Sequence, residues 1–136
     1  MSALALLASG EGMGFQTVLD ACRRGELDAV VVALGAEKKC KAVLRAEAAG
    51  VPVVFHTWGP YKVAGKLRAT YERDLAVRLR MHGAAFILLD GWARPLTWGI
   101  EEVYPGRILD LAADAASPEP VGIVGFVRDW LAQIAV

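Results

Sequence analysis

The sequence has no hydrophobic run long enough to span a membrane, although 55% of its 136 residues are hydrophobic. The longest apolar runs, such as Ala29–Leu34, have the length of a buried strand, whereas a membrane-spanning helix needs about 20 residues. No basic region precedes the apolar stretch at the N-terminus, so a signal peptide is not expected. We therefore expect a cytoplasmic protein without a membrane partner.

The sequence also has no net charge and contains little cysteine or histidine. The 15 basic and 15 acidic residues cancel, which argues against nucleic acid as a partner. The one local basic excess, Lys38–Lys41, is explained by a solvated helix start. With only two cysteines, Cys22 and Cys40, and two histidines, we expect reduced thiols and no metal site.

Short apolar segments alternate with helical patterns along the chain. The predicted strands are Ala3–Ala8, Leu27–Leu34, Val51–Phe55, Ala85–Leu89 and Arg107–Leu111, and the predicted helices are Phe15–Arg24, Glu37–Ala49, Val63–His82, Thr97–Val103 and Val121–Ile134. This alternation predicts one α/β domain over residues 1–136, with a doubly wound parallel sheet of about five strands. The expected arrangement is Rossmann-like, with three α/β/α layers.

Finer features of two helices follow from helical spacing. In the second helix we expect Cys40, Val43 and Leu44 to face the core. In the long helix, Asp74 and Arg78 are four residues apart and predict an ion pair on the solvated face.

The strand order predicts where a ligand binds. If the first three strands are arranged as 3-2-1 and the fourth pairs on the other side of the first, the winding direction reverses between strands one and four. Ligands of such sheets bind at this reversal, beyond the carboxyl ends of the strands. We therefore expect a crevice between the loops Ser9–Gly14 and Asp90–Pro95.

The loop Ser9–Gly14 reads Ser-Gly-Glu-Gly-Met-Gly and joins a strand to a helix. Its glycines allow a tight turn, and free N–H groups at a helix start attract anions. The spacing matches neither a dinucleotide-binding nor a P-loop motif, so a phosphate monoester fits better than NAD or ATP. A turn that only lets helix and strand pack is the alternative. Glu11 would repel an anion unless its side chain points away.

Polar residues near the same edge have two interpretations. Asp90, Arg94 and Asp110 follow strands four and five, and they are suited either to an acid/base or Mg²⁺ site or to helix caps and an ion pair. His56 is expected in a surface loop and His82 at a helix end, because a histidine without a partner defines no catalyst.

Three tryptophans, Trp58, Trp92 and Trp98, lie in or beside loops at this edge. They are suited to stacking on a planar ligand, to the centre of an interface, or to filling the core under loops. An uncovered sheet edge must be paired or covered, and a second copy of the chain is the simplest cover. We therefore expect a homo-oligomer, most simply a dimer.

Three segments together carry a resemblance to a known family. They are Ala3–Gln16, Leu88–Leu96, which reads Leu-Leu-Asp-Gly-Trp-Ala-Arg-Pro-Leu, and Tyr104–Leu109, which reads Tyr-Pro-Gly-Arg-Ile-Leu. In this order and spacing they resemble the glycinamide ribonucleotide formyltransferases, whose matching segments contain Gly-x-Gly-Ser-Asn, Leu-Ala-Gly-Phe-Met-Arg-Ile-Leu and Tyr-Pro-Gly-Arg-Ile-Leu. Met13 and Gly14 replace the family's Ser and Asn.

The resemblance implies a formyltransferase N-terminal fold and two ligand-binding segments. It implies a backbone site for substrate phosphate at Gly10, Glu11, Gly12, Met13 and Gly14. It also implies a pocket, lined in the family by folate-binding backbone, for which the candidates here are Asp90, Trp92, Arg94, Leu96 and Asp110.

The resemblance also implies that the family's catalytic residues are absent. The family's third segment continues into Asn-Ile-His-Pro, and here Asp110 stands for the Asn and Ala112 for the His. The strand-rich half with the family's catalytic Asp has no counterpart, so we expect a shortened member without catalytic residues. Formyl transfer needs an oxyanion donor and a proton carrier, and alanine is neither.

Three functional hypotheses follow. The first is a degenerate formyltransferase relative that requires no cofactor and binds a phosphorylated small molecule at Gly10–Gly14. The second is an active transferase of purine synthesis that uses reduced folate (10-formyltetrahydrofolate) and a site reorganised around Asp90, Arg94 and Asp110. The third is a non-enzymatic interaction module.

Overall fold

Five short strands form one parallel sheet with helices on both faces. The computed structural model describes residues 1–112 and 120–134. Its strands are β1 (Ser2–Ala8), β2 (Ala29–Ala36), β3 (Val53–Phe55), β4 (Phe86–Asp90) and β5 (Ile108–Asp110). Its helices are α1 (Met13–Arg23), α2 (Lys41–Ala49), α3 (Gly59–Val63), α4 (Arg68–Met81), α5 (Trp98–Val103) and α6 (Pro120–Ile134).

The strand order is β3-β2-β1-β4-β5, with every neighbouring pair parallel. The predicted reversal of winding between the first and fourth strands is therefore confirmed. Along β1 and β4 the register pairs Leu4 with Phe86 and Ala8 with Asp90. The last residues of both strands thus lie side by side at the carboxyl edge of the sheet.

Alternate residues of β1 enter two separate cores. Leu4 and Leu6 pack into a cluster with side chains of α1, α2 and α6, whereas Ala5 and Leu7 pack with side chains of α4 and α5. Successive side chains of a strand point to opposite faces, so two buried faces account for the continuous apolar strand sequences. The predicted three-layer α/β/α arrangement is confirmed.

The predicted long helix Val63–His82 is wrong in one respect, because the structure has two helices here. Helix α3 ends at a left-handed glycine, Gly65 (φ +69), whose neighbour Lys66 donates its N–H to Tyr61 O at 2.9 Å. A glycine in this conformation closes a helix by pairing its last free carbonyls. Leu67 then adopts an extended conformation and precedes α4.

Two side-chain predictions are also wrong. Leu44 is 51% exposed, while Ala42, Val43 and Ala46 form the buried face of α2. Asp74 accepts the Tyr61 hydroxyl at 2.6 Å and forms no ion pair with Arg78, which donates instead to Phe55 O. Partners from other elements have replaced the local i,i+4 pair.

The remaining boundaries agree with the structure to within a few residues. Helix α2 begins at Lys41 and β2 at Ala29, later than the predicted Glu37 and Leu27. Most of the predicted loop Ala112–Pro120 lies outside the described residues. The predicted closing helix is present as α6.

Candidate functional site

A crevice of about 340 Å³ opens at the carboxyl edge of the sheet, where the chain leaves β1 toward one face and β4 toward the other. Both predicted loops contribute to it, together with the end of β5 and one residue of α6. The lining residues are Met13, Gly14, Asp90, Gly91, Leu111, Ala112 and Ile123. Asp90 is the only ionisable side chain among them.

The glycine turn before α1 is held from the side by α2. Ala42 donates its N–H to Gly10 O at 3.0 Å, and Arg45 Nε donates to Glu11 O at 2.8 Å. Gly12 is left-handed (φ +75), and a Cβ there would lie 2.7 Å from the Ala42 Cα. Both the conformation and the close approach require glycine at position 12.

The side chain of Glu11 points away from the crevice. Its carboxylate lies 3.3 Å from Lys41 Nζ on the solvated surface. Both side chains are more than 60% exposed, so this ion pair contributes little to stability. The negative charge of Glu11, which was predicted to repel a ligand, is therefore offset by Lys41.

Asp90 occupies the start of α1. Its Oδ2 accepts the N–H of Phe15 at 2.8 Å, across 75 residues of sequence. A Cβ on Gly14 would lie 2.6 Å from its Oδ1, so the carboxylate fills the space that a side chain at position 14 would take. The sequence-based prediction of a phosphate site assumed free amides here, and the Phe15 amide is not free.

Burial raises the pKa of the Asp90 carboxyl above its ordinary value. The backbone N–H groups of Phe15 and Gly14 oppose this by favouring the ionised form, as does the more distant Arg45 guanidinium. The two opposing causes are desolvation in the crevice and hydrogen bonding to a helix start.

The proposed reorganised site of Asp90, Arg94 and Asp110 is not assembled. Arg94 Nε lies 2.5 Å from Glu37 Oε2, and Asp110 Oδ1 accepts the nearby Ala112 N–H at 2.9 Å. Within the described residues no hydrogen bond joins any two of the three. Asp90 caps the start of α1 and Arg94 forms an ion pair with Glu37, as in the second interpretation drawn from the sequence, whereas Asp110 binds the N–H of a turn residue.

Glu37 was not singled out from the sequence, yet it organises a second hollow of about 280 Å³. This hollow is lined by Ser9, Glu37, Lys38, Ala93 and Arg94. Glu37 also accepts the Tyr71 hydroxyl at 2.8 Å, and Ser9 Oγ accepts the Ala93 N–H at 3.0 Å. An acidic residue directly after the apolar run of β2 was the signal available in the sequence, but the partners of Glu37 come from α4 and the loop after β4.

Neither histidine reaches the crevice. The predicted surface-loop position of His56 is wrong, because the side chain is 5% exposed and its Nε2 lies 2.8 Å from Tyr71 O. Burial lowers the pKa of His56 below its ordinary value. His82 follows α4, and since α4 leads into β4, this residue lies at the amino edge of the sheet, opposite the crevice.

The tryptophans have three different environments. Trp92 packs, half-buried, against the core beneath α4 and α5. Trp58 stacks under the Arg68 guanidinium at 4.5 Å, and Trp98 remains 55% exposed with Arg73 above its ring at 5.5 Å. They form no shared stacking surface. Leu96, the other predicted pocket residue, also packs against the core.

The described residues contain no helix both long and apolar enough to cross a membrane, and no group of three His, Cys, Asp or Glu side chains arranged to hold a metal ion. Cys22 and Cys40 are free thiols. Burial raises the pKa of the Cys22 thiol to about 11, so it is protonated at neutral pH.

The strand order, the two covered faces and the crevice at the reversal of winding define a doubly wound α/β protein. A family model described as formyl transferase matches residues 2–112. The chain belongs to the formyl transferase family.

Relatives and solved structures agree with this assignment. The chain is 28% identical over 109 residues to the chloroplastic phosphoribosylglycinamide formyltransferase of Arabidopsis thaliana and 28% identical over 112 residues to that of Bacillus subtilis. It is 26% identical to glycinamide ribonucleotide transformylase 1 of Geobacillus kaustophilus, with a TM-score of 0.74 over 93% of this chain and 68% of that one.

The matched relatives are longer than this chain. The matched part is 79% of the chain but 36% of the Arabidopsis protein, and 82% of the chain but 55% of the Bacillus protein. The fold and the family are shared, and the activity of this chain is a separate question.

Proposed function

We propose that this chain is a formyl transferase family member that binds a small ligand in the crevice between β1 and β4 but does not transfer a formyl group. The observation that carries this proposal is the lining of the crevice. Among the described lining residues the one ionisable side chain is Asp90, which accepts the Phe15 N–H at the start of α1. The resemblance implies that Asp110 and Ala112 stand where the family has its catalytic Asn and His, and Ala112 is part of this lining.

The chemistry of formyl transfer explains why this lining is insufficient. The reaction requires a donor aimed at the developing oxyanion and a group that carries a proton between amine and intermediate. Leu111, Ala112 and Ile123 supply neither, and His56 and His82 lie elsewhere. Loss of a single oxyanion donor lowers the rate by about 10²–10³-fold, so loss of donor and proton carrier together abolishes useful turnover.

The rival proposal of an active transferase with a reorganised site has less support. It requires Asp90, Arg94 and Asp110 to act on one substrate, and each is engaged by a different partner: Phe15, Glu37 and Ala112. The interaction-module hypothesis is supported by exposed apolar side chains, of which Trp98 is one.

Turnover is the direct test of the proposal. Purified chain is assayed with phosphoribosylglycinamide and 10-formyltetrahydrofolate, next to an Asp90→Asn variant prepared in parallel, which measures the background from the host. We expect equal signals from both proteins. Wild-type turnover above the variant's background would show that the crevice is catalytic and overturn the proposal.

A homodimer is a further part of the proposal. Strand β3 lies at one edge of the sheet and pairs only with β2, and its Phe55 is 45% exposed. Such an edge strand presents N–H and C=O groups with which a second copy of the chain can pair. Light scattering across a tenfold concentration range is expected to give twice the mass of one chain. A constant monomer mass would contradict the proposed homodimer.

A further inference from the structure

The start of α1 carries an anion that belongs to the protein itself. The first N–H groups of a helix have no partner within the helix and attract one negative group. Here Asp90, delivered by the end of β4, accepts the Phe15 N–H at 2.8 Å. The register that pairs Asp90 with Ala8 holds the carboxylate at this position, beside the turn that leads into α1.

Position 14 is adapted to this carboxylate. Gly14 is buried, and a Cβ on it would lie 2.6 Å from Oδ1 and 2.8 Å from Cγ of Asp90. The absence of a side chain at position 14 is therefore what admits the carboxylate. The Asp90 side chain therefore takes both the space beside position 14 and the N–H of Phe15.

Among the described residues that line the crevice, no cation offsets a second negative charge. The other lining residues are Met13, Gly14, Gly91, Leu111, Ala112 and Ile123, none of which ionises. Arg45 is the cation whose field reaches Asp90, but its Nε donates to Glu11 O and a terminal nitrogen to Met13 Sδ at 3.1 Å. Lys41 lies beside Glu11.

We propose that Asp90 sets the ligand class of the crevice: its carboxylate excludes phosphate from the start of α1, so the ligand is uncharged or cationic where it faces this helix. Two unit charges about 4 Å apart at a protein surface repel by an amount equivalent to about a thousandfold in affinity. The Asp90 side chain can turn aside, so we expect a smaller but measurable effect of tenfold or more. The inference rests on the proposed binding role of the crevice and extends it to a ligand class.

The test is a titration with inorganic phosphate at constant ionic strength and neutral pH, followed on the backbone amide signals of Gly14 and Phe15. Wild type is compared with Asp90→Ala, which frees the amides, and with Asp90→Asn, which keeps the shape and removes the charge. Asp110→Ala is the matched control, because Asp110 is an exposed carboxylate at the same sheet edge whose partner is its own loop.

We expect no saturation in wild type or Asp110→Ala. Asp90→Ala is expected to bind at least tenfold more tightly, with a smaller gain in Asp90→Asn, and the amide spectrum of each variant verifies its fold. If Asp90→Ala does not fold, Asp90→Asn decides the comparison. A folded variant that gains no binding would overturn the inference.

The titration of the wild-type protein can by itself overturn the inference. Saturation of the Gly14 and Phe15 amides with a Kd below ~1 mM would show that the carboxylate does not exclude phosphate. Formyl-transfer turnover is a separate readout, so failure of the inference and failure of the proposed function are distinguishable.

Discussion

Two helices of this protein begin on a carboxylate that another element supplies, and the two sites differ in their access to solvent. Asp90 accepts the Phe15 N–H at the start of α1 and lines an open crevice. Glu72, on α4, is fully buried and accepts the N–H groups of Thr97 and Ile100 at the start of α5, at 2.6 and 3.2 Å. One carboxylate is sealed within the protein and the other faces a ligand-sized space.

Because of this difference, the carboxylate of Glu72 has a structural role, whereas that of Asp90 also acts on ligand specificity. At α5 the two helices are in such close contact that a Cβ on Gly99 would overlap the backbone carbonyl of Ala69. No ligand fits between Glu72 and its amides. At α1 the space beside Asp90 remains open, so the charge there also acts on whatever enters the crevice.

The largest expected effect comes from truncating the sealed carboxylate. Glu72→Ala leaves the buried Ile100 amide and the Thr97 amide without this acceptor, and we expect a loss of about 3 kcal/mol in unfolding free energy. Asp90→Ala, whose amides remain near water, is expected to lose about 1 kcal/mol, the usual value of a helix cap. Urea unfolding of both variants measures the two losses.

Glu72→Gln serves as the matched control, because it keeps one acceptor oxygen and we expect roughly half of the Glu72→Ala loss. Equal losses in Glu72→Ala and Asp90→Ala would erase the distinction between a sealed and an open cap.

The second effect tests the fit between Gly14 and Asp90. Gly14→Ala places a methyl group 2.6 Å from Asp90 Oδ1, and we expect a loss of about 2 kcal/mol from the displaced carboxylate. In an Asp90→Ala background the same change meets no carboxylate, so the gain in helix propensity of about 1 kcal/mol dominates. A double-mutant cycle measured by urea unfolding gives the coupling between the two positions.

Gly125 provides the reference for this cycle. It lies within α6, and outside its own helix backbone no described atom lies within 4 Å of an added Cβ, so Gly125→Ala is expected to stabilise the protein by about 1 kcal/mol in either background. If the effects of the changes at positions 14 and 90 are additive, the position of the Asp90 carboxylate does not depend on the absence of a side chain at Gly14.

The smallest effect is a pH dependence at the open cap. Burial raises the folded-state pKa of Asp90, so the folded protein holds this proton at a higher pH than the unfolded chain. The resulting stabilisation is complete below the unfolded pKa, about 3.9, and is lost as the pH rises through the folded value. The stability difference between wild type and Asp90→Asn should therefore favour wild type more at pH 4 than at pH 7.

We expect this change to remain below about 1 kcal/mol, because the crevice admits solvent. Asp110→Asn, measured over the same pH range by thermal unfolding, controls for a general carboxylate effect. A difference that grows with pH would show that the amide hydrogen bonds outweigh desolvation at Asp90.

The apolar strands and the helices between them were sufficient to predict the sheet order, the layers and the position of the crevice. The errors had two sources: a local conformation that helical spacing does not reveal, and hydrogen-bond partners that lie on other elements. The helical pattern after Val63 predicted one helix, because local spacing does not reveal that Gly65 adopts a left-handed conformation. The expected pair of Asp74 and Arg78 was replaced by contacts to Tyr61 and Phe55.

The amino-acid sequence by itself determined the α/β class, the family resemblance and the sheet edge at which Asp90 and Gly14 meet, because strand and helix periodicities are local properties of the chain. Only the tertiary structure decided which group occupies the start of α1. That outcome depends on the pairing of Ala8 with Asp90 and on the absence of a side chain at Gly14. Both conditions join segments far apart in sequence, and they produce the contact between Phe15 and Asp90, 75 residues apart, only after the sheet has formed.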